Sequence, residues 1–387
     1  MTFNILRYGA LADEGNNQRD KIQAAFDACA QAGGGIVEIP AGEFVCDSLR
    51  MYSNTTLLLK KGAKLLGNTC VYDYKIFDFP KNIKSRSDME MIPYYYAPPK
   101  APIPRYRCAM ISAYGEKNIS IIGEENSVLD GRNCFDPDGE EGYRGPHGIY
   151  FTNCENITLQ GYIIQNCGNF MHQIDNSRNI TMKDVRCIGG SDGIHLHCCR
   201  NILIEDCDFC TGNDCIAGID VKNLHINNCK VNTSCHCFRI GGVNILVENS
   251  YFYGPGIYPH RMTIVRGKDE VLPINEGRHN TLYLITYFSS ETYPAKTPAS
   301  NWYFINCKIE GIDSFLHYHE NDRTALHSGT PLVSIRLKNV SFAGIKHTSD
   351  IECTKNNPLY IDMKNVSGDK IFDDKTPNLI INRSAKD

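Results

Sequence analysis

Several features that would decide the class of this chain are absent from its 387 residues. No apolar run reaches the length needed to cross a membrane. The net charge is −4 and the pI is about 6.3, so there is no basic excess for binding nucleic acid or an anionic membrane surface. No low-complexity linker divides the sequence, and we therefore expect one domain over residues 1–387.

The start of the chain also lacks the charged and apolar regions of a secretory signal peptide. The 18 cysteines would suit a disulfide framework in a secreted protein, but several of them fall on expected core positions. We therefore expect reduced thiols and a cytoplasmic location. We expect no cofactor and no metal, and the sequence leaves a homo-oligomer open.

A repeat of 22 residues runs through the middle of the chain. The phrases Asn179-Ile-Thr-Met, Asn201-Ile-Leu-Ile and Asn223-Leu-His-Ile start at intervals of 201 − 179 = 22 and 223 − 201 = 22. Related phrases start at Asn156 (179 − 156 = 23) and Asn244 (244 − 223 = 21). Apolar residues alternate within each phrase and β-branched types dominate, which predicts short strands. Asparagine and glycine are expected at the corners, in left-handed conformations.

Strand repeats of this length are typical of solenoids. We expect an all-β fold, a single-stranded parallel β-helix whose neighbouring coils stack about 4.8 Å apart. A second column with the same spacing contains Val185, Cys207, Cys229 and Ser250. We interpret it as an inward-facing core ladder, in preference to a redox or metal site.

One segment has the pattern of a helix instead. Residues 20–32 place four apolar side chains on one face, and Gly33-Gly-Gly ends the pattern. The four are Ile22, Ala25, Phe26 and Cys29. We expect this helix to cap the N-terminal end of the solenoid, within a cap of about residues 1–50. Stretches without the repeat, about 70–107 and 255–300, are expected to be long loops.

Three ionisable residues share one phase of the repeat. Asp192, Asp214 and His236 each lie 13 positions after a repeat asparagine (192 − 179, 214 − 201 and 236 − 223), so stacked coils should place them in one column. Like charges on adjacent strands repel, and structure alone gives little reason to pair them. Repulsion should raise the pKa of one carboxyl, which suits general acid and base catalysis. The alternative is a set of polar residues on a solvated face.

Further motifs lie within about residues 3–260. They are Phe3-Asn-Ile-Leu-Arg-Tyr-Gly-Ala, Ile22-Gln-Ala-Ala-Phe-Asp-Ala, Gly33-Gly-Gly-Ile-Val-Glu-Ile-Pro-Ala-Gly, Asn54-Thr-Thr-Leu-Leu-Leu-Lys-Lys-Gly-Ala, Asn118-Ile-Ser-Ile-Ile-Gly and Leu129-Asp-Gly. This set resembles the polygalacturonase-like enzymes of glycoside hydrolase family 28. The resemblance implies a right-handed, pectin-lyase-like parallel β-helix that hydrolyses a glycosidic bond with inversion.

The active-site motifs of that family match this chain unevenly. The corresponding segments are Gly190-Ser-Asp-Gly, Gly212-Asn-Asp-Cys and Cys235-His-Cys. Asn213 replaces the acid usually assigned as the family's general acid, and the family's motif for a uronate carboxylate has no clear counterpart. The resemblance therefore implies a glycosidase other than a standard polygalacturonase. The two long loops would close one end of a cleft and favour exo action on small oligosaccharides.

Within this framework, we assign Asp192 to activating water and Asp214 or a nearby residue to protonating the leaving group. His236 would tune this pair or hold the water. The residues expected to contact substrate are Asn213, His195, His172, His147, Arg239, Arg261 and Arg278. A surface role is the alternative for the histidines and arginines. The cluster Tyr94-Tyr-Tyr96 either stacks on a sugar or packs on the solenoid.

Other chemistries fit parts of the same pattern. Imidazoles and a thiol near the column would suit a metal ion, although the resemblance offers no precedent for one. These residues are His195, His197, Cys235 and His236. A lyase or epimerase on the same fold would use Asp and His to remove a proton α to a carboxylate. A non-catalytic carbohydrate-binding solenoid is favoured by the loss of an acid at Asn213.

Overall fold

The computed structural model describes residues 1–78, 106–137, 144–260, 277–289, 297–320 and 329–384. Within these ranges the chain forms two compact units, one up to His195 and one from Leu196 onward. Both are built from short parallel strands. The single domain over residues 1–387 stays a prediction, and Tyr94–Tyr96 and Arg261 lie outside the described residues.

The first unit combines one α-helix and two 3-10 turns with short strands. The helical segments are the turns Ile5–Tyr8 and Val71–Asp73 and helix α1 (Arg19–Gln31). The strands are β1 (Thr2–Asn4), β2 (Gly35–Ile39), β3 (Gly42–Cys46), β4 (Leu49–Arg50), β5 (Thr55–Leu59), β6 (Ala63–Gly67), β7 (Ala109–Tyr114), β8 (Lys117–Gly123), β9 (Val128–Asp130), β10 (His147–Thr152), β11 (Glu155–Gln160), β12 (Ile163–Gln165), β13 (His172–Asp175), β14 (Arg178–Lys183), β15 (Arg186–Gly189) and β16 (Ile194–His197), which contains the boundary.

Inward-facing residues of this unit stack from coil to coil. In the parallel register, Ile157 lies opposite Ile119 on one neighbouring strand and opposite Ile180 on the other. All three side chains are buried. The hydrophobic effect therefore acts along the whole ladder, since each coil covers the apolar row of the next.

Helix α1 is the expected N-terminal helix. It packs against β1, β2 and β4, and its buried face consists of the four predicted residues. The glycine run after it takes left-handed backbone angles, with φ of 86° at Gly33 and 124° at Gly34. A Cβ on Gly34 would lie 2.5 Å from the main-chain oxygen of Asn54. The helix therefore ends where only glycine fits.

Within the described residues, the regular elements of the second unit are strands. They are β17 (Arg200–Glu205), β18 (Asp208–Thr211), β19 (Ile216–Asn227), β20 (Lys230–Thr233), β21 (His236–Glu248), β22 (Tyr251–Tyr253), β23 (Tyr283–Tyr287), β24 (Ser300–Ile305), β25 (Lys308–Glu310), β26 (Ser314–His319), β27 (Ser334–Ala343), β28 (Asp350–Glu352), β29 (Leu359–Gly368) and β30 (Leu379–Ser384). One apolar row of this unit runs through six paired strands, with every member buried. The row is Ile202, Leu224, Ile245, Trp302, Ile335 and Ile361.

The prediction of a long loop over residues 255–300 is wrong at residues 283–287, which form a strand. Strand β23 lies inside this stretch and pairs with β21, so that Tyr283 is opposite His236. Four of its five residues are buried. Tyr283 lies 283 − 244 = 39 positions after the preceding repeat asparagine, whereas its partner His236 lies 236 − 223 = 13 positions after one, so the repeat spacing gave no sign of this strand.

Asparagine turns the corners, as predicted. In the second unit, Asn201, Asn223, Asn244 and Asn301 have φ between 57° and 60°, the left-handed region that asparagine tolerates. Their side-chain amides also bond to one another, at 3.0, 2.9 and 3.0 Å from Nδ2 to Oδ1. Each corner asparagine thus adopts the left-handed conformation that its coil needs, and hydrogen bonds to the asparagines of adjacent coils hold its side chain.

The cysteine column is also confirmed as part of the core. Val185, Cys207, Cys229 and Ser250 are all buried. All 18 cysteines lie within the described ranges, and no disulfide joins any two of them. Across those ranges no helix has the length and apolar character of a membrane span. The fold class is therefore the predicted one, an all-β parallel β-helix with a short helix near its N-terminus.

The corner conformation gives a test at Asn223, whose side chain is exposed. Asn223→Gly and Asn223→Ala both remove the two amide bonds, but only alanine also meets the left-handed strain of about 1–2 kcal/mol. We expect the free energy of unfolding to fall in both variants, and by about 1 kcal/mol more in Asn223→Ala. Urea denaturation followed by circular dichroism measures this difference. Equal stabilities of the two variants would contradict it.

Candidate active site

Two members of the predicted column meet in the second unit. Asp214 lies in the turn between β18 and β19, and His236 begins β21, the parallel neighbour of β19. The side chains face each other, with His236 Nδ1 2.7 Å from Asp214 Oδ1. The carboxylate side chain is 2% exposed and the imidazole 16% exposed. A shared phase of 22 residues therefore does bring these two groups into contact.

The hydrogen bond fixes the imidazole. An ionised carboxylate only accepts, so Nδ1 carries the proton and donates it to Asp214. The other nitrogen, Nε2, has a long contact of 3.9 Å with Cys235 Sγ. The Tyr283 ring stacks on His236 with centroids 5.9 Å apart and planes 28° from parallel. Both partners therefore restrict the rotation of His236.

The charge state of Asp214 is set by cations rather than by a second carboxylate. Burial raises its pKa, but the charge and hydrogen bond of His236 and the charges of Arg239 and His260 lower it, and the net shift is downward. Arg239 Nη1 lies 3.9 Å from Asp214 Oδ2. The raised pKa expected for one carboxyl of the column is therefore not found at Asp214. Near neutral pH this residue is an anion.

Two of the predicted substrate contacts flank this pair. The Arg239 guanidinium lies over the Phe288 ring, with Cζ 4.2 Å from the ring centroid. Arg278 Nη2 donates to Cys235 Sγ at 3.7 Å. Positive charge therefore approaches the pair from two segments of the chain. Together they provide a cationic edge suited to an anionic group on a ligand.

Asn213 stands directly before the pair. The residue is only 6% exposed, and its main-chain oxygen accepts hydrogen bonds from the hydroxyls of Thr211 and Thr233. These two bonds hold the turn that carries Asp214. The geometry gives Asn213 a positioning role through its main chain, and its contact with substrate stays a prediction.

Side-chain donor atoms around the Asp214–His236 pair are also close enough together to be ligands of one metal ion. One ligand atom each from Asp214, Cys235 and His236 lies within 4.8 Å of the others. Carboxylate, thiolate and imidazole are all zinc ligands. The guanidinium groups of Arg239 and Arg278 stand beside the same atoms, however, and their charge opposes a dication. The geometry is therefore better suited to an anionic ligand than to a metal.

The remaining predicted residues lie in the first unit, where His172 requires a correction. It is fully buried, with Nδ1 donating to the Gly193 main-chain oxygen at 2.8 Å and Nε2 accepting from the Tyr162 hydroxyl at 2.9 Å. Burial lowers its pKa to about 4. With both nitrogens used inside the protein, His172 is a core histidine, and it is neither a substrate contact nor a surface residue.

His147 lies in a buried aromatic environment. Its ring meets Tyr106 edge-on at 4.9 Å and stacks on Tyr150 at 5.7 Å between centroids. Neither ring nitrogen makes a hydrogen bond of ordinary geometry, although main-chain groups of Tyr106 and Phe170 lie near enough to favour the charged form. Burial and the charge of Arg144 nevertheless lower the pKa of His147 to about 3. The imidazole is neutral across the physiological range.

His195 and Asp192 are buried in the same unit. His195 Nδ1 lies 3.2 Å from Gln173 Oε1, and the imidazole ring meets Phe170 edge-on at 4.4 Å. Asp192 is 1% exposed, and its main-chain oxygen accepts from the Met171 amide at 3.0 Å. The assignments of Asp192 to water and of His195 to substrate stay predictions.

Sequence reasoning missed several residues around the Asp214–His236 pair. They are His260, Tyr283 and Phe288. All three come from the stretch after residue 250, where the 22-residue phase no longer applies. An available signal was the motif Tyr258-Pro-His-Arg, which places a histidine and an arginine directly after the last regular coil.

The fold and site together define a parallel β-helix that carries a buried carboxylate–imidazole pair beside arginine side chains. The sequence model of glycosyl hydrolases family 28 matches residues 29–250, and the chain belongs to that family. Solved structures agree on the fold. A polygalacturonase from Erwinia carotovora superposes with a TM-score of 0.68 at 16% identity, over 96% of this chain and 95% of its own. An exopolygalacturonase from Yersinia enterocolitica gives 0.64 at 16%, over 99% and 78%.

Sequence relatives match shorter stretches. An exo-poly-alpha-D-galacturonosidase of Dickeya chrysanthemi is 36% identical over 134 residues, 33% of this chain and 19% of its own length. A mannuronan C5-epimerase of Azotobacter vinelandii is 42% identical over 67 residues, 17% and 12% of the two lengths. A polygalacturonase of Prunus persica is 24% identical over 238 residues, 58% and 53%. The chain thus spans only a small part of the first two of these relatives.

The neutral buried imidazole of His147 makes stability depend on pH. The unfolded chain takes up a proton near the ordinary pKa of 6.5, whereas the folded chain does so only near 3, so stability falls as pH drops through this window. Each pH unit corresponds to about 1.4 kcal/mol. Between pH 7 and 5 the wild type should therefore lose about 2 kcal/mol more than His147→Phe, measured by urea denaturation.

The matched control for this comparison is His347→Gln, which changes an exposed histidine of the second unit. It should keep the wild-type dependence of stability on pH. Parallel profiles for the wild type and His147→Phe would show that His147 can be protonated in the folded protein.

Proposed function

We propose that the chain is an inverting, exo-acting glycoside hydrolase of small oligosaccharides. The observation that carries this proposal is the 2.7 Å contact between His236 Nδ1 and Asp214 Oδ1, within a family 28 parallel β-helix. Family membership supports a glycosidase. Three further parts of the proposal come from the sequence analysis: exo action, inversion and a cytoplasmic oligosaccharide substrate.

Asp214 and His236 act as a unit in this proposal. A general acid must hold a proton at the working pH, and the lowered pKa of Asp214 argues against that role for the carboxylate itself. The nearby residue that protonates the leaving oxygen is then His236, through Nε2. Asp214 orients the imidazole through Nδ1–H and stabilises the imidazolium. Asp192 keeps its proposed role of activating water.

This division of work gives a reason for Asn213. With the proton supplied by His236, the acid that the family usually carries at this position is not needed. An amide there also adds no negative charge beside Asp214, so His236 and Arg239 remain its dominant electrostatic partners. The substitution and the histidine thus form one consistent arrangement.

We further propose that the oligosaccharide carries a carboxylate. Arg239 and Arg278 supply positive charge beside the pair, at 3.9 Å from Asp214 and 3.7 Å from Cys235. Guanidinium groups bind carboxylates with two aligned donors. By name, the relatives act on galacturonan and mannuronan, both uronate polymers. This support is independent of the family's own uronate motif, which the sequence lacks.

A second candidate activity is proton abstraction on an acidic sugar. Stretches of 65–67 residues are 42% to 43% identical to mannuronan C5-epimerases, and a further match is an alginate lyase at 36%. The same His236 would then remove the proton α to the carboxylate, and the arginines would stabilise the resulting anion. Such a reaction forms an unsaturated or inverted uronate and adds no water.

The test is a screen of acidic and neutral oligosaccharides with the wild type, Asp214→Asn and His236→Gln. We expect new reducing ends with the wild type, and a kcat lower by about 100- to 10,000-fold in each variant because proton transfer is lost. The released anomer, followed by proton NMR, shows whether the configuration inverts. Release of terminal residues alone would support exo action.

The chain offers a matched control. His225 Nε2 lies 2.9 Å from Glu248 Oε2, another histidine–carboxylate pair in the same unit, and is 41% exposed. His225→Gln should keep full turnover. Wild-type turnover in His236→Gln would exclude the pair as the catalytic centre. Unsaturated or epimerised product without reducing ends would instead establish the second candidate, and binding without any turnover a non-catalytic solenoid.

A further inference from the structure

A second group of imidazoles and carboxylates lies on β26 and β28. These strands pair in parallel, with His317 opposite Asp350 and His319 opposite Glu352. Residues two apart on a strand project from the same face. The backbone register alone therefore places two imidazoles and two carboxylates together on one face.

The side chains converge further than the register requires. His319 Nε2 lies 2.7 Å from Asp350 Oδ1, and His317 Nε2 lies 3.6 Å from Asp350 Oδ2. One ligand atom from each of these three residues falls within 4.8 Å of the other two. Glu352 Oε2 is 3.9 Å from the other nitrogen of His319. The imidazoles are 18% and 19% exposed, so a small ion can reach them.

We propose that His317, His319 and Asp350 form a binding site for a divalent transition-metal ion of the zinc class. Zinc binds imidazole nitrogen and carboxylate oxygen at about 2.0–2.2 Å, which puts tetrahedral ligand atoms about 3.3 Å apart. The two imidazoles lie 2.7 and 3.6 Å from different oxygens of Asp350, close to that value, and the three ligand atoms lie within 4.8 Å of one another. Small side-chain shifts would bring these atoms together as a three-ligand site with an open position for water.

The surroundings of this group favour a cation. Glu352 adds a second carboxylate beside His319. The Tyr283 ring stacks on His317, with centroids 5.0 Å apart, and limits the rotation of that imidazole. The group at Asp214, Cys235 and His236 differs in this respect, because two arginines stand beside it. Electrostatics thus assigns the metal to the group on β26 and β28 and the anionic ligand to the group at Asp214.

The proposed ion has a structural consequence. Its ligands come from two adjacent strands, so binding would join one coil to the next near the C-terminal part of the chain. These residues lie beyond the stretch that matches family 28, which ends at residue 250. The proposal of this site does not rest on the proposed hydrolase activity. Metal binding to the native form adds directly to its stability.

Isothermal titration of the full chain with Zn²⁺ tests the proposal. We expect one equivalent to bind to the wild type, with affinity reduced by about 10- to 100-fold or lost in His317→Gln and His319→Gln. Zn²⁺ should raise the thermal unfolding temperature of the wild type but not of these variants. Co²⁺ should give the visible absorption of a tetrahedral site with the wild type alone.

Two control variants test whether the bound ion belongs to this site. His225→Gln removes an imidazole whose contact is the carboxylate of Glu248, and should leave binding unchanged. Cys235→Ser alters the other donor group and should also leave it unchanged. Loss of binding in Cys235→Ser, with retention in both histidine variants, would overturn the proposal. So would equal affinity for Mg²⁺, which indicates only a carboxylate surface, or no binding by the folded wild type.

Discussion

The coils of the second unit all depend on a backbone conformation that few residues tolerate. Asn201, Asn223, Asn244 and Asn301 take left-handed angles and join their amides in one line. If one corner shifted by a residue, every inward side chain of that coil would move to the outer face. The buried row below the corners can form only because the corners repeat. The position of Asp214 relative to His236 depends on the same register.

Much of the fold could be predicted because one local requirement recurs. Asparagine at the corner, alternating apolar residues after it and a buried column that includes Cys207 and Cys229 are each visible in the sequence and were each confirmed. Helix α1 was predictable for a similar reason, since its apolar face and its glycine stop are local. Strand β23 was not, because its stability comes from pairing with β21 and from burial, neither of which leaves a periodic mark.

The candidate site was predictable in position but not in charge. Equal phase identified Asp214 and His236 as neighbours, and the structure places them in contact. The sign of the pKa shift at Asp214 depends on Arg239 and His260, and burial on its own would have given the opposite direction. His260 comes from outside the regular coils. His172 shows the same limit, since only the folded chain reveals the two hydrogen bonds that hold it in the core.

The last hydrogen bond in the row of corner asparagines joins two residues that are far apart in sequence. Asn301 bonds to Asn244 at 3.0 Å, although 57 residues separate them, whereas the preceding steps take 21 and 22. A coil can therefore accept a long insertion and still return to the same corner. The length and composition of such an insertion are free to diverge while the scaffold stays constant. Families built on this principle can acquire new specificities by exchanging one segment, without any change in the coils that carry the acid and the imidazole.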